Sequence, residues 1–134
     1  MRLPGSRRRD SRSRPAGQDG VAVLALSRRT LDALDSAASE TLALPLEPLP
    51  ADDAAFARLL AACDRAAEQV AGTPSTHADL TLPADLLPVV VRLLPVVAGL
   101  VGSEELLLRT GHSPYGYEQA QVELLGAVQE AARP

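Results

Sequence analysis

The chain of 134 residues is poor in several residue types, and each scarcity excludes a kind of protein. It contains one cysteine, so an internal disulfide is impossible. Tryptophan is absent, and the aromatic residues are Phe56, Tyr115 and Tyr117. Strands favour aromatic and β-branched side chains, whereas most apolar residues here are alanine, leucine and valine. The composition therefore argues against an all-β fold and favours a helical one.

Lysine is also missing, because all thirteen basic residues are arginine. This excludes the phosphate-binding sequence G-x-x-x-x-G-K, and no G-x-G-x-x-G sequence occurs either. The two histidines, His77 and His112, have no cysteine nearby and lack the H-x-x-x-H spacing of a helical metal site. We therefore expect no metal, no cofactor and no catalytic residues, which favours a non-enzymatic protein.

Long uninterrupted apolar runs are absent too. The run VAVLAL at 21–26 is shorter than the roughly 7–15 apolar residues of a signal peptide. The run at 86–101 is interrupted by two prolines, an arginine and a glycine, and falls short of the ~18–20 apolar residues that span a bilayer. We expect a soluble, cytoplasmic protein with no membrane span.

Charge divides the chain into two parts. Residues 1–20 hold six arginines and two aspartates, a net charge of +4, whereas residues 21–134 hold seven arginines and fifteen acids, a net charge of −8. The first part has no apolar periodicity, so we expect a disordered tail. Its arginines could contact nucleic acid or an anionic membrane surface. The alternatives are a solvated tail and a start codon read too far upstream. The arginines that would contact phosphates are Arg7, Arg8, Arg9, Arg12 and Arg14.

Two short stretches predict strands. Residues 21–26 are apolar at every position, so we expect a strand that is buried on both faces. Residues 79–82 form a second short strand, which can pair antiparallel with the first. Four to five helices account for the remainder, which makes the expected fold class α+β and predominantly helical.

Capping residues and apolar spacing predict the first two helices. Ser27 suits the N-cap of a helix over 28–40, and the proline-rich stretch 42–50 is an extended connector. A second helix begins near Asp52 and ends before Gly72. The first helix should bury Leu31, Leu34 and Ala38. The second should turn Phe56, Leu59, Leu60, Cys63, Ala67 and Val70 inward, and Arg58, Ala62, Arg65 and Gln69 outward.

The spacing of the non-aliphatic residues predicts a helix over 85–102. With Asp85 as N-cap, one proline falls in the first turn, and Pro95 displaces the carbonyl of Val91, which water is expected to satisfy. The non-aliphatic residues form one stripe along this helix, and we expect that stripe to face solvent. It comprises Asp85, Pro88, Arg92, Pro95, Gly99 and Gly102. The rest of the circumference is apolar, which indicates a central helix and a contact surface at a homodimer seam or partner groove.

Two further helices complete the prediction. Residues 104–109 favour a short helix over a strand, with Ser103 as its cap and Gly111 at its end. Ser113 caps the last helix, with Pro114 at its first position. Its expected inward residues are Tyr117, Ala120, Leu124, Val128 and Ala131, and its expected outward residues are Gln119, Glu123, Gly126 and Glu130.

A weak internal repeat is visible. LALSRRTL at 24–31 and LTLPADLL at 80–87 share their leucine order at an offset of 56. The compact domain over 21–134 can therefore contain two strand-helix-helix units, at about 21–72 and 79–132. This arrangement resembles the ribbon-helix-helix repressors, whose paired strands enter the DNA major groove. The resemblance is architectural, because the side chains of residues 21–26 offer no hydrogen-bonding atom to base edges and the part of the chain over 21–134 is acidic.

The candidate contacts lie in two places. The segment 109–117, RTGHSPYGY, precedes a helix whose free amides attract anions, which predicts an anion-binding or enzymatic site. A glycine-terminated helix followed by a serine-capped helix explains the same residues without a ligand. Two arginines lie in the first turn of the 28–40 helix, where positive charge is unfavourable. Pairing with Asp32 or contact with a charged partner surface could offset this charge. The candidate contact residues are Arg109, His112, Ser113, Tyr115, Tyr117, Arg28 and Arg29.

These observations favour a small non-enzymatic regulatory or adaptor protein that acts through protein-protein contact, either by self-association as a homodimer or by binding a helix in a groove. A nucleic-acid-associated regulator that uses the arginine-rich tail is one alternative. An anion-binding or enzymatic site at 109–117 is the other.

Overall fold

The computed structural model describes residues 20–41 and 53–132. The predicted tail, the proline-rich connector and the Asp52 helix start lie outside these residues.

Two strands, five helices and one 3-10 turn make up the described part of the chain. In chain order they are β1 (Val21–Ser27), α1 (Arg28–Glu40), α2 (Asp53–Val70), β2 (His77–Pro83), the 3-10 turn (Ala84–Leu86), α3 (Leu87–Val101), α4 (Ser103–Thr110) and α5 (Pro114–Ala132). This confirms the expected fold class, α+β and predominantly helical, with a two-stranded antiparallel sheet. The alternative of a strand over 104–109 is wrong.

The sheet has one buried face and one exposed face. Residues alternate along both strands, so that Ala22, Leu24 and Leu26 lie in the core together with their counterparts on β2. Val21 and Val23 remain 58% and 51% exposed. The prediction that β1 is buried on both faces is wrong, because the helices of the described chain cover only one side of the sheet.

The strand register is compatible with a twofold relation between two units. The bounds of β2 are those of β1 shifted by 56 positions, and Leu24 lies opposite Leu80. The helix contacts follow the same relation. Helix α2 of the first unit packs against β2 of the second, and α5 of the second unit packs against β1 of the first. The tandem repeat itself stays a prediction.

The first two helices pack mainly as expected. Ser27 caps α1, because its side-chain oxygen accepts a hydrogen bond of 3.2 Å from the Thr30 amide. On α2, Phe56 and Cys63 are buried as predicted. Ala62 is wrongly predicted to face outward and Ala67 inward, since Ala62 is buried and Ala67 exposed. The reason is that α2 packs against both α1 and β2, which moves its buried face towards Ala62.

The central helix α3 begins later than the sequence predicts. The 3-10 turn precedes it, so Asp85 is not the N-cap, and Gly102 rather than Ser103 precedes α4. Both cap predictions are therefore wrong. The predicted stripe does face solvent, because Pro88, Arg92, Pro95 and Gly99 are all exposed. The opposite side of α3 packs against α1 and α5.

The segment Ala84–Val101 has the length and composition of a membrane span, with a mean hydropathy of 2.0. Within this fold 44% of the segment is buried against other elements. The run therefore meets the length that the sequence was expected to miss. The core helix of a globular protein can have the same composition, so the expected absence of a membrane span stays a prediction.

The end of α4 and the start of α5 lie where the sequence predicts them. Gly111 adopts a left-handed conformation with a φ of 79° and ends α4, as glycine at this position commonly does. Ser113 caps α5 by accepting a hydrogen bond of 3.0 Å from the Gly116 amide. Tyr117, Ala120 and Leu124 are buried as predicted. In contrast, α4 buries only Leu106 and exposes the two leucines that follow it.

Candidate functional site

The segment 109–117 is fastened to one face of α1. Three polar residues of α1 lie four positions apart and therefore form a single stripe along the helix. The contacts are Arg109 Nε with Glu40 Oε1 at 2.8 Å, His112 Nε2 with Asp32 Oδ2 at 2.7 Å, and the Tyr117 hydroxyl with Ser36 Oγ at 3.0 Å. Three of the predicted contact residues are thus brought together, each with a partner on α1.

The electrostatics of this segment favour a structural role. Burial raises the pKa of the Tyr117 hydroxyl, and the hydrogen bonds from Ser36 and Thr110 oppose this only in part. Asp32 and Glu40 place two carboxylates beside His112 and Arg109, which weakens the attraction for an anion. Every polar group of the segment that contacts α1 is accounted for without a ligand, and the anion site stays a prediction.

The other predicted residues are not part of this cluster. Ser113 acts as the helix cap, and Tyr115 is 68% exposed. Arg28 donates from Nε to the Ser75 carbonyl at 2.7 Å and from Nη2 to the Val70 carbonyl at the end of α2. A cation is favourable at the C-terminal end of a helix.

The predicted pairing of these arginines with Asp32 is wrong. Within the described residues no ion pair joins Arg28 or Arg29 to Asp32, which pairs with His112 instead. Arg28 instead donates hydrogen bonds to carbonyl oxygens at and beyond the end of α2. Arg29 is exposed at the start of α1.

Glu123 is the polar residue that sequence reasoning missed. It is predicted to face water, but its carboxylate accepts hydrogen bonds from the Ser27 amide at 2.9 Å, the Ser27 hydroxyl at 2.8 Å and the Thr30 hydroxyl. Burial alone would raise its pKa, but the bonds from Thr30 and Ser27 outweigh this, so the pKa is lowered. The negative charge also complements the N-terminus of α1.

No local signal in the sequence identifies this contact. Glu123 and Ser27 lie 96 positions apart, and the helical spacing of α5 places the glutamate outside its apolar stripe. Only the packing of α5 beside β1 brings the two residues together.

A second long-range contact joins α5 to α3. The Gln121 side chain donates a hydrogen bond of 2.8 Å from Nε2 to the carbonyl oxygen of Val91. This is the carbonyl that lacks its usual helical donor, since Pro95 has no N–H. Because only the amide nitrogen can donate, the orientation of the side chain is determined, and the buried Oε1 has no donor among the described residues.

A groove of about 570 Å3 lies between α3 and α5 beside this contact. We call it the α3–α5 groove. It is lined by Leu94, Pro95, Ala98, Pro114, Tyr117, Glu118, Gln119, Gln121 and Val122. Its walls are mainly apolar, and Glu118 is the one carboxylate among the described residues of the lining.

The thiol of Cys63 belongs to the core. Its residue is 1% exposed, and burial, followed by the charges of Asp35 and Asp64, raises its pKa to about 12. Its burial within the hydrophobic core confirms the predicted packing role. Across residues 20–41 and 53–132, no group of three histidine, cysteine or acidic side chains is arranged to hold a metal ion.

Comparison with known proteins adds no functional information. No protein-family model matches the chain, and searches of curated proteins and of solved structures give no significant match.

Proposed function

We propose that the protein is a small regulatory or adaptor protein that acts through protein-protein contact, and that the α3–α5 groove receives one amphipathic helix of a partner. The observation that carries the proposal is the groove itself, a concave surface with mainly apolar walls next to a helix whose core face is already filled. An amphipathic helix that lays its apolar face into a mainly apolar groove is a recurring mode of protein recognition.

The dimensions of the groove suit a helix. Its α5 wall includes Pro114, Tyr117, Gln121 and Val122, which recur at the spacing of one helical face over two turns. Those positions span about 12 Å along the axis at the rise of an α-helix. Val122 is 70% exposed, so its side chain is available for contact. A partner helix can lay two turns of an apolar stripe along this wall.

The charge of the protein indicates which residues should border the apolar stripe of the partner helix. The described residues contain six arginines and thirteen acids, a net charge of −7. Glu118 supplies a carboxylate within the lining of the groove. A helix whose apolar stripe is bordered by lysine or arginine therefore has the complementary charge.

Binding of designed peptides to the full chain tests the proposal. The probe is a fluorescently labelled amphipathic helix of leucine and lysine, compared by anisotropy with a scrambled peptide of the same composition. Ala98→Phe should fill the groove and weaken binding by about tenfold, because it removes the space for the apolar stripe. Leu108→Phe is the matched control, since it adds the same side chain at a position that is 80% exposed and outside the groove.

Each outcome is decisive for this site. Binding that requires the amphipathic order and is lost in Ala98→Phe but not in Leu108→Phe supports the proposal. Equal binding of the scrambled peptide indicates charge attraction alone and contradicts it. An unchanged affinity in a folded Ala98→Phe variant, verified by circular dichroism, also contradicts it.

A further inference from the structure

The outer edge of β1 carries backbone groups that β2 cannot pair. Beyond the strand ends, Arg28 N donates to Thr76 O at 3.1 Å and Ala84 N donates to Gly20 O at 3.2 Å. Hydrogen-bonded pairs alternate along an antiparallel ladder, so the pairs that include Leu24 with Leu80 are the bonded ones. The N–H and C=O groups of the intervening β1 residues therefore point away from β2.

Those intervening residues are Val21, Val23 and Ala25. The next residue in the series, Ser27, has its amide bonded to Glu123 of α5. In the part of the chain that the structure describes, no side chain plays this role for the other three. Because a helix has no free row of backbone groups to offer, α5 cannot pair with them. Among the described residues these groups have no partner, so they are available to a strand of a second copy.

The two edges of the sheet differ in their protection against strand addition. On β2 the equivalent edge positions include Pro83, which has no N–H, and Asp79, which carries a charge. Proline and charged side chains are the usual means of blocking an edge strand. On β1 the corresponding side chains are uncharged, and Val21 and Val23 are more than half exposed. Because α5 reaches this edge at Ser27, the part of β1 suited to receive a strand is its N-terminal part, around Val21 and Val23.

We propose that β1 pairs antiparallel with β1 of a second copy, which forms a continuous four-stranded sheet in the order β2–β1–β1–β2. A twofold axis at Val23 places Val23 opposite itself and Val21 opposite Ala25 of the second copy. A symmetric interface needs a self-complementary surface, and this register brings together only apolar side chains and unpaired backbone groups. This surface is separate from the α3–α5 groove, so the proposal does not depend on the proposed function.

Sedimentation equilibrium of the full chain tests the proposal with a pair of substitutions. Val23→Lys places two lysines opposite each other at the axis and should weaken dimerisation by about tenfold or more. Thr81→Lys is the matched control, because Thr81 is the cross-strand neighbour of Val23 on the same exposed face but lies on the protected strand. Both positions are exposed, so circular dichroism should show folded proteins.

A cysteine pair gives a second measurement. Val23→Cys should form a disulfide-linked dimer under mild oxidation, whereas Thr81→Cys should not. The native thiol, Cys63, is 1% exposed and does not compete.

Dimerisation that is weakened by Val23→Lys and retained in Thr81→Lys supports the β1 interface. A strictly monomeric wild-type chain at high concentration overturns it, and so does an equal loss of dimer in both lysine variants. Loss of the dimer in Ala98→Phe but not in Val23→Lys would place the seam at the groove and also overturns it. Failure of peptide binding at the groove leaves this result unaffected.

Discussion

Gln121 supplies to Val91 the hydrogen bond that Pro95 removes from α3. The sequence predicts that this carbonyl is freed and that water satisfies it, but the donor is a side chain of α5 at 2.8 Å. A proline in the middle of a helix is thus accommodated by the helix packed beside it. Gln121 is also one of the residues that line the α3–α5 groove.

Gln121→Leu should therefore lower the free energy of unfolding by about 1 kcal/mol, because the Val91 carbonyl loses its donor. The same substitution should cost much less in a Pro95→Ala background, where a backbone N–H at position 95 can bond this carbonyl. Urea denaturation of the four proteins measures both values. An equal cost in the two backgrounds would show that the amide does not compensate for the proline.

Glu123→Gln should destabilise the protein in a pH-dependent way. The folded state lowers the pKa of Glu123, so its carboxylate stabilises the fold at pH values above the ordinary glutamate pKa, and this contribution is lost as the pH falls through the lowered value. We expect a loss of about 1 kcal/mol at neutral pH, a modest value because the group is partly solvent-screened. The difference from wild type should shrink at about pH 3.

Glu118→Gln is the control for this measurement, since Glu118 lies on the same helix and is exposed. Thermal unfolding across the pH range measures both variants. A Glu123→Gln effect of the same size at acid and neutral pH would argue that shape, and not charge, holds α5 to the start of α1.

Asp35→Asn should stabilise the protein at neutral pH. Burial, then the charges of Asp64 and Asp32, raises the pKa of Asp35. A carboxyl with a raised pKa favours folding while it is protonated, and this contribution is lost as the pH rises through the raised value. Removal of the charge should gain roughly 0.5 kcal/mol at pH 7, after allowance for solvent screening, and almost nothing at pH 3.

Asp79→Asn provides the comparison for Asp35→Asn, because Asp79 lies on the exposed face of the sheet. Chemical denaturation at the two pH values is sufficient. If Asp35→Asn destabilises the protein at neutral pH, the charged carboxylate stabilises the fold, and the prediction is contradicted.

Local patterns predicted the elements well where the cause was local. Ser27 and Ser113 cap helices because a hydroxyl reaches an amide three residues ahead, and Gly111 ends α4 because it tolerates a positive φ. The solvent-facing stripe of α3 follows from spacing alone. Predictions failed where two partners competed for one helix, as at Ala62, whose burial depends on contacts with both α1 and β2.

The candidate surfaces could be predicted only in part. The sequence indicated excess apolar surface on α3, but the α3–α5 groove exists because α5 packs at a distance that leaves space between the two helices. The exposed face of β1 could not be predicted from the sequence. A strand that is apolar at every position does not show whether one or both of its faces are covered by other elements.

The order of residues by itself determined the type and approximate limits of the helices and strands, because capping, turn conformation and apolar period act over a few neighbouring residues. The tertiary structure decided which polar groups meet, as with Glu123 and Ser27, Gln121 and Val91, and Arg109 and Glu40. Such pairs join residues far apart in the chain, and their distance depends on how whole helices pack, which no local pattern encodes.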